Sequence, residues 1–528
     1  MRFVPPVAAG LAAAFLLTNA AQAEQILHRP IDAEPESLDP QKTTGNIEIS
    51  IDRDMFIGLV ALDAHAEPVP GVAASWEQSP DHKIWTFHLR PEAKWSNGDP
   101  VTADDFVYSF RRLVDPKTAA ADYSDLHEVV NAEAIATGKE KDLAKLGVEA
   151  VDPHTFRIAL VQPRTILLYI LTDVQLAPLH RATIEKWGNE WTKPEHIVTN
   201  GPYVMKDWVP QSHITLVRNS NFYDAAGVNI DGVDLEVCES ADTQYKRFEA
   251  GEIDWTRLTR THLALARRDA PDKFTTADIN GDFLIFFNMV KGKLAEDKRL
   301  REAFNLALDR DTLVEKIEPI GQKPAYGWNP PMLKDYEHQD MAFATMSKAD
   351  RLARAKQLMQ EAGYTPEKPF EVTAIYTTDD DNKLVLTAIQ QMVRPIGIAL
   401  KLDNMEWQVL ASRQKQHDFE IGMMSATATY NDPETVLDNY RSDANDFSFG
   451  GYANPKFDAL FHQAASAPDM PTHYRLLAEA EHIMLDDYPI APLWYYHRSW
   501  LTNPRLQGWD HSVMYPQTRY LSFKDGAS

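Results

Sequence analysis

The segment 68–110 constrains the fold most, because it encodes a strand, a turn and a helix start in one run dense with aromatic residues. From Trp85 to Leu89 apolar and polar residues alternate, which is the period of a strand with one buried face. Asn97 and Gly98 tolerate positive φ and predict a turn. Thr102, followed by acidic residues, predicts the N-cap of a helix.

Three motifs in this segment carry a family resemblance. They are Pro-Gly-Val-Ala-x-Ser-Trp at 70–76, Trp-Thr-Phe-x-Leu-Arg at 85–90, and Lys-Trp-x-x-Gly-x-Pro-Val-Thr-Ala-x-Asp-Phe-Val at 94–107. Further matches follow in order at 198–203 and 248–254. The chain resembles the extracytoplasmic solute-binding proteins of ABC importers, in particular the oligopeptide-binding family with its dipeptide- and nickel-binding relatives.

The resemblance implies an α/β fold with two lobes that close like a flytrap, with an additional domain inserted in the first lobe. It implies a monomer that binds a peptide or another small solute and delivers it to the permease subunits of the importer. We expect lobe I to comprise 24–56, 183–274 and 500–528, the additional domain to comprise 57–182, and lobe II to comprise 275–499.

Residues 1–23 predict a secretory signal peptide. Arg2 precedes an apolar run at 7–17, and Ala21 and Ala23 flank Gln22, so we expect cleavage after Ala23. The run is too short to span a membrane, and no cysteine follows it that could carry a lipid. We therefore expect the mature chain in a Gram-negative periplasm, without an internal disulfide because Cys238 is the single cysteine.

Charge and motifs exclude several function classes. A net charge of −24 argues against nucleic acids and anionic membranes as partners. The sequence lacks a GxSxG elbow, an HExxH pair, a phosphate-binding loop, a GxGxxG motif and an EF-hand loop. The acidic run 379–381 is better explained by the N-terminal dipole of a helix than by a cation. We predict that the protein is not an enzyme and holds neither a cofactor nor a metal. The alternative functions are a periplasmic hydrolase and a periplasmic chaperone.

The C-terminal half predicts α/β architecture. Apolar spacing indicates helices at 298–317 and 347–363, the second starting at Ser347 and ending at Gly363. A strand at 375–382, a helix at 383–397 and a strand at 399–404 predict a crossover unit.

The segment 419–433 predicts a strand that runs into a Tyr-Asn-Asp-Pro turn. In the resembling peptide binders the end of this strand lines the cleft, and a tryptophan earlier in the chain, matched here by Trp407, lies near it. The residues predicted to bind the ligand are Trp407, Met423, Thr429, Tyr430, Asn431, Tyr495 and Tyr496, the last two within the aromatic run 494–496.

The same segment departs from the family. Peptide binders place an aspartate before the Tyr-Asn pair, where its carboxylate holds the ammonium group of the ligand, and this chain has Thr429. Met423 replaces an expected arginine, Ala426 a tryptophan and Thr427 a cysteine. An enclosed ammonium without a counter-charge is costly. Either another acid pairs with the ammonium, or the ligand is not a conventional free peptide but a glycoside, a metal chelate or a modified peptide.

Overall fold

The computed structural model describes residues 24–43, 45–443, 450–513 and 515–524. The predicted signal peptide lies outside this range. No helix within it is both long enough and apolar enough to cross a bilayer.

Strands and helices are numbered in chain order. The strands are β1 (Ile26–Ile31), β2 (Val60–Leu62), β3 (Pro68–Pro70), β4 (Ala73–Gln78), β5 (Ile84–Leu89), β6 (Val148–Asp152), β7 (Thr155–Ala159), β8 (Tyr203–Val209), β9 (His213–Arg218), β10 (Gly232–Val237), β11 (Trp255–Arg257), β12 (Phe274–Phe287), β13 (Lys323–Pro324), β14 (Phe370–Thr377), β15 (Ile398–Met405), β16 (Ile421–Thr427), β17 (Ile490–Thr502), β18 (Leu506–Gln507) and β19 (Ser522–Phe523). The α-helices are α1 (Asn46–Met55), α2 (Ala103–Val114), α3 (Ala132–Ala136), α4 (Leu167–Ile170), α5 (Arg181–Trp187), α6 (Ala241–Ala250), α7 (Arg260–Asp269), α8 (Lys293–Glu296), α9 (Lys298–Ala307), α10 (Arg310–Thr312), α11 (Lys348–Glu361), α12 (Asp380–Val393), α13 (Trp407–Lys415), α14 (Glu434–Leu437), α15 (Pro455–Ala465) and α16 (Met470–Asp487).

The predicted strand, turn and helix of segment 68–110 are confirmed. Strand β5 lies within a four-stranded antiparallel sheet of order β4-β5-β7-β6. Gly98 has φ 94°, which a residue with a side chain rarely adopts. Helix α2 starts after Thr102, whose backbone N–H donates to Asp105 Oδ2 at 2.8 Å. A second four-stranded sheet in this part of the chain has the order β1-β10-β9-β8, in which β1 and β10 are parallel.

The sheet of the second part has the order β11-β17-β12-β16-β14-β15, and β13 pairs with β17. Strands β14 and β15 are parallel, and α12 forms the crossover between them, so the predicted unit is confirmed in type. Its bounds differ, because β14 runs over Phe370–Thr377 and Asp379 already caps α12 by accepting from the Asn382 N–H at 2.9 Å. The acids at 379–381 therefore occupy the cap and first turn of a helix.

The prediction of one continuous helix over 298–317 is wrong. Helix α9 ends at Ala307, and Leu308 is extended. Asp309 then accepts from the Thr312 N–H at 3.2 Å and starts a new helix, which continues as a π-helical turn over Leu313–Ile317. A cap in the middle of the apolar pattern interrupts the helix. The predicted helix from Ser347 to Gly363 is confirmed as α11.

Two large apolar cores divide the molecule. One is built from residues 27–279 with a few later ones, including Tyr430 and Trp500, and the other from residues 284–494. We call the parts that pack on them the N-terminal half and the C-terminal half. The domain boundaries given above remain a prediction.

Strands β12 and β17 connect the two halves. They are antiparallel neighbours, and their register shifts between Asp278 and Asp282. Gly281 lies in this irregularity, where an added Cβ would lie 2.5 Å from the backbone oxygen of Ala426. The irregular pairing marks the point at which the strands leave one core and enter the other.

Candidate ligand-binding cleft

A cleft of about 440 Å³ opens between the two halves at the irregularity of β12. Its lining comes from both halves, and most of the lining residues carry polar side chains. The lining residues are Asn46, Ile49, Arg53, Leu62, Ala66, Asp122, Ser124, Asp125, Asp173, Gln175, Ile279, Asn280, Thr427, Ala428, Thr429, Tyr430, Asn431, Thr435, Ser512, Val513 and Tyr515.

The wall from the C-terminal half is the end of β16 and the turn 428–433, which we call the cleft turn. Thr429 is exposed, whereas the Tyr430 ring is buried among the core residues of the N-terminal half and lies 6.3 Å from the ring of Tyr169. Asn431 Nδ2 donates to the backbone oxygen of His65 at 3.3 Å. The cleft turn therefore reaches across and contacts the opposite half directly.

A buried ion cluster supports the cleft turn. His473 on α16 lies with Nε2 3.1 Å from Asp432 Oδ1 and Nδ1 2.8 Å from the backbone oxygen of Ala464. Both ring nitrogens face acceptors, which favours the imidazolium form. Burial opposes that charge, but the hydrogen bond and charge of Asp432 and the charge of Glu434 outweigh it and raise the pKa of His473.

The same cluster has the donor types of a metal site, since ligand atoms of Asp432, Glu434 and His473 lie within 4.8 Å of one another. Two cationic groups already serve the carboxylates, however: His473, and Arg164, which donates to Glu434. A divalent cation would be placed beside both positive charges. The arrangement therefore fits an internal ion cluster that fixes the cleft turn better than it fits a metal centre.

The wall from the N-terminal half carries the charge of the cleft. Asp125 Oδ1 lies 3.4 Å from the Tyr430 hydroxyl, a long hydrogen bond that spans the cleft. Burial, together with the charges of Asp173 and Asp122, raises the pKa of Asp125 well above its usual range. Burial also raises the pKa of Asp173, although Arg53 partly offsets it. Among the described lining residues, three carboxylates face one guanidinium.

Two buried amide side chains complete the lining. Gln175 is 8% exposed and Asn280 is 6% exposed. Asn280 Nδ2 donates to the Tyr430 backbone oxygen at 3.4 Å. Within the described part of the chain, Gln175 Oε1 and Asn280 Oδ1 have no hydrogen-bond donor. Because a buried acceptor without a donor is unfavourable, both oxygens call for a donor supplied from the cleft.

The structure brings three of the predicted ligand-binding residues to the cleft: Thr429, Tyr430 and Asn431. Four others lie outside its lining. Met423 is buried in β16 opposite Ile285, and the Tyr495 hydroxyl accepts from the Gly327 N–H at 3.0 Å. These partners occupy both side chains within the C-terminal half.

The remaining two predicted residues are also displaced from the lining. Tyr496 is half-buried between the two cores. Trp407 is 62% exposed at the first position of α13 and belongs to neither of the two large apolar cores. A part in ligand binding for Met423, Trp407, Tyr495 and Tyr496 remains a prediction.

Sequence reasoning missed the acceptor groups of the cleft: Asp125, Asp173, Gln175 and Asn280. They lie on three separate segments that only the tertiary fold brings together. A sequence signal was available for Asp173, because this charged residue follows the apolar stretch 166–171 almost directly. In the structure its side chain is only 7% exposed.

Two α/β halves joined by long strands, with a polar cleft between them, define a two-lobed binding protein. The chain belongs to the bacterial extracellular solute-binding proteins, family 5, whose model matches residues 67–448. It is 35% identical over 519 residues to the periplasmic oligopeptide-binding protein OppA of Escherichia coli K12, with 95% of each chain covered.

Solved structures of similar proteins agree with the fold. The unliganded open form of MppA, a periplasmic murein tripeptide binding protein, superposes with a TM-score of 0.85 at 34% identity, covering 95% of this chain and 98% of that one. Haemophilus influenzae OppA in complex with the peptide RPPGFSPFR superposes with a TM-score of 0.76 at 32% identity, covering 95% of this chain and 99% of that one. By overall superposition the structure is therefore more similar to the unliganded open form of MppA than to the peptide complex of OppA.

Proposed function

We propose that this protein is the periplasmic solute-binding component of an ABC importer and captures an oligopeptide by closing its two lobes. The observation that carries the proposal is the cleft itself, because its lining comes from both halves at the point where β12 and β17 cross between them. A ligand in this position contacts both halves at once. The names of the relatives, oligopeptide-binding OppA and murein tripeptide-binding MppA, point to peptides as the ligand class.

Closure follows from differential affinity. A ligand shifts the equilibrium toward the closed state only as far as it binds that state more tightly than the open one. In this structure the Tyr430 hydroxyl lies 3.4 Å from Asp125 Oδ1, which is a long hydrogen bond. A ligand that bridges the cleft turn and the opposite wall adds contacts that the open state lacks. The closed form is then the state presented to the permease.

The lining fits the backbone of a peptide. Neutral hydrogen-bonding side chains such as Asn46, Ser124, Asn431 and Ser512 pair with amide groups, which every peptide carries in the same positions. Binding of this kind tolerates different side chains. We further propose a monomer without a catalytic step, exported to the periplasm and processed after Ala23.

Native mass spectrometry of protein purified from the periplasm without refolding tests this function. A peptide binder is expected to retain a ladder of bound masses separated by amino-acid residue masses. A single discrete mass that fits no peptide would replace the peptide by another solute. Peptide fragments that accumulate during incubation would overturn the non-catalytic assignment.

A further inference from the structure

We propose that Asp125 and Asp173 hold the α-ammonium group of the bound peptide, in place of the carboxylate that position 429 lacks. This inference rests on the proposed function and names the group by which the cleft recognises its substrate. It selects the first alternative left open by the sequence, that another acid pairs with the ammonium.

The first support is position. Asp125 lies across the cleft from the cleft turn, and its Oδ1 lies 3.4 Å from the Tyr430 hydroxyl. This contact is long for an O–H···O hydrogen bond, so a stronger donor can displace it. Asp173 is 7% exposed and uses Oδ1 to accept the Gln175 N–H at 2.9 Å. A cation between the cleft turn and this wall would therefore lie beside two carboxylates.

The second support is independent of the carboxylates. Gln175 and Asn280 are more than nine-tenths buried, line the cleft, and have amide oxygens without a donor in the described residues. Such oxygens do not indicate an anionic ligand group, which has only acceptors to offer. They indicate a ligand group that donates hydrogen bonds through N–H or O–H.

An ammonium group fits this set of acceptors. It carries one positive charge and three N–H donors, so it can be shared between a carboxylate and neutral oxygens. The charge balance agrees, because Asp122, Asp125 and Asp173 outnumber Arg53 among the described charged residues of the lining. One added cation reduces the excess negative charge that the three carboxylates create.

The test compares two peptide pools and two carboxamide substitutions. Random tripeptide to pentapeptide pools are prepared with a free amino terminus and, in parallel, with the terminus acetylated, which removes the charge. Binding of each pool is measured by calorimetry to the unmodified sequence and to the variant carrying Asp125→Asn and Asp173→Asn. Asp272→Asn is the matched control, since it removes the same charge at an exposed position outside the cleft lining.

The protein is expected to bind the free-amine pool about ten- to a hundredfold more tightly than the acetylated pool, the range for hydrogen bonds to a charged group. The double variant should lose this preference, and Asp272→Asn should keep it. Circular dichroism of the double variant checks that it is folded; should it unfold, each single substitution is measured instead.

Three results would overturn the inference, in two different ways. Equal binding of both pools, or a preference that survives both carboxamide substitutions, would refute the ammonium site while leaving peptide transport intact. If neither pool binds the unmodified protein, the peptide function itself is refuted, and the ammonium site with it.

Discussion

Replacing His473 by leucine tests whether the buried ion cluster holds the cleft turn. His473 is fully buried, and its ring nitrogens contact Asp432 and the backbone oxygen of Ala464. Its loss leaves Asp432, also fully buried, without its cationic partner. Removing one member of a buried pair costs about 3–5 kcal/mol. We expect the free energy of unfolding to fall by that amount.

The loss should depend on pH in a defined direction. The pKa of His473 is raised above its unfolded value of about 6.5. Its stabilising contribution is therefore fully present below about pH 6.5 and disappears as the pH rises through the raised pKa. The penalty of His473→Leu should be largest in mildly acidic solution and smaller in alkaline solution.

Urea unfolding followed by circular dichroism at several pH values measures this penalty. His482→Leu is the matched control, because His482 lies on the same helix, is exposed, and pairs with Asp486 only at 3.7 Å. We expect it to change stability by less than about 1 kcal/mol. Equal losses in the two variants, or a penalty for His473→Leu that does not vary with pH, would refute the assigned role of the ion cluster.

Three further predictions concern the cleft. When Thr429→Asp is added to the variant with Asp125→Asn and Asp173→Asn, calorimetry should again show a preference of about tenfold or more for free-amine peptides. If the preference does not return, a carboxylate at position 429 does not reach the ammonium group. Affinity for the free-amine pool should rise as the pH rises through the raised pKa values of Asp125 and Asp173, whose neighbouring charged and titratable groups are Asp122, Arg53, Arg164 and Tyr430. The affinity should fall again above about pH 8, because the peptide amine then loses its proton. The same pH profile for the acetylated pool would contradict this prediction. Gly281→Ala should lower the thermal unfolding temperature, because its Cβ would lie 2.5 Å from the Ala426 oxygen; an unchanged temperature would show that the crossing strands relax freely.

Local pattern predicted much of the fold because local interactions decide those elements. The alternation at β5, the cap at Thr102 and the cap at Ser347 are all realised. The pattern misled at 298–317, where continuous apolar spacing hid the cap at Asp309. Spacing reports which face is buried, but a capping side chain decides where one helix ends and the next begins.

The candidate site was predictable only in part. The resemblance located the cleft turn with Thr429, Tyr430 and Asn431, since one short segment carries all three. It did not locate Asp125 and Asp173, which are far apart in the chain and meet only through the packing of the N-terminal half. The residue type of an aromatic side chain also did not show whether it lies in a core or in the cleft. Trp407 is exposed, and the Tyr495 hydroxyl is hydrogen-bonded to Gly327 within the C-terminal half.

Small-angle X-ray scattering during a titration with the free-amine peptide pool tests capture by closure most directly. The structure is more similar to the unliganded open form of a relative than to a peptide complex. The radius of gyration should therefore decrease as peptide is added and level off once the protein is saturated. Saturation by peptide, established by calorimetry on the same sample, without any decrease in the radius of gyration would contradict the account.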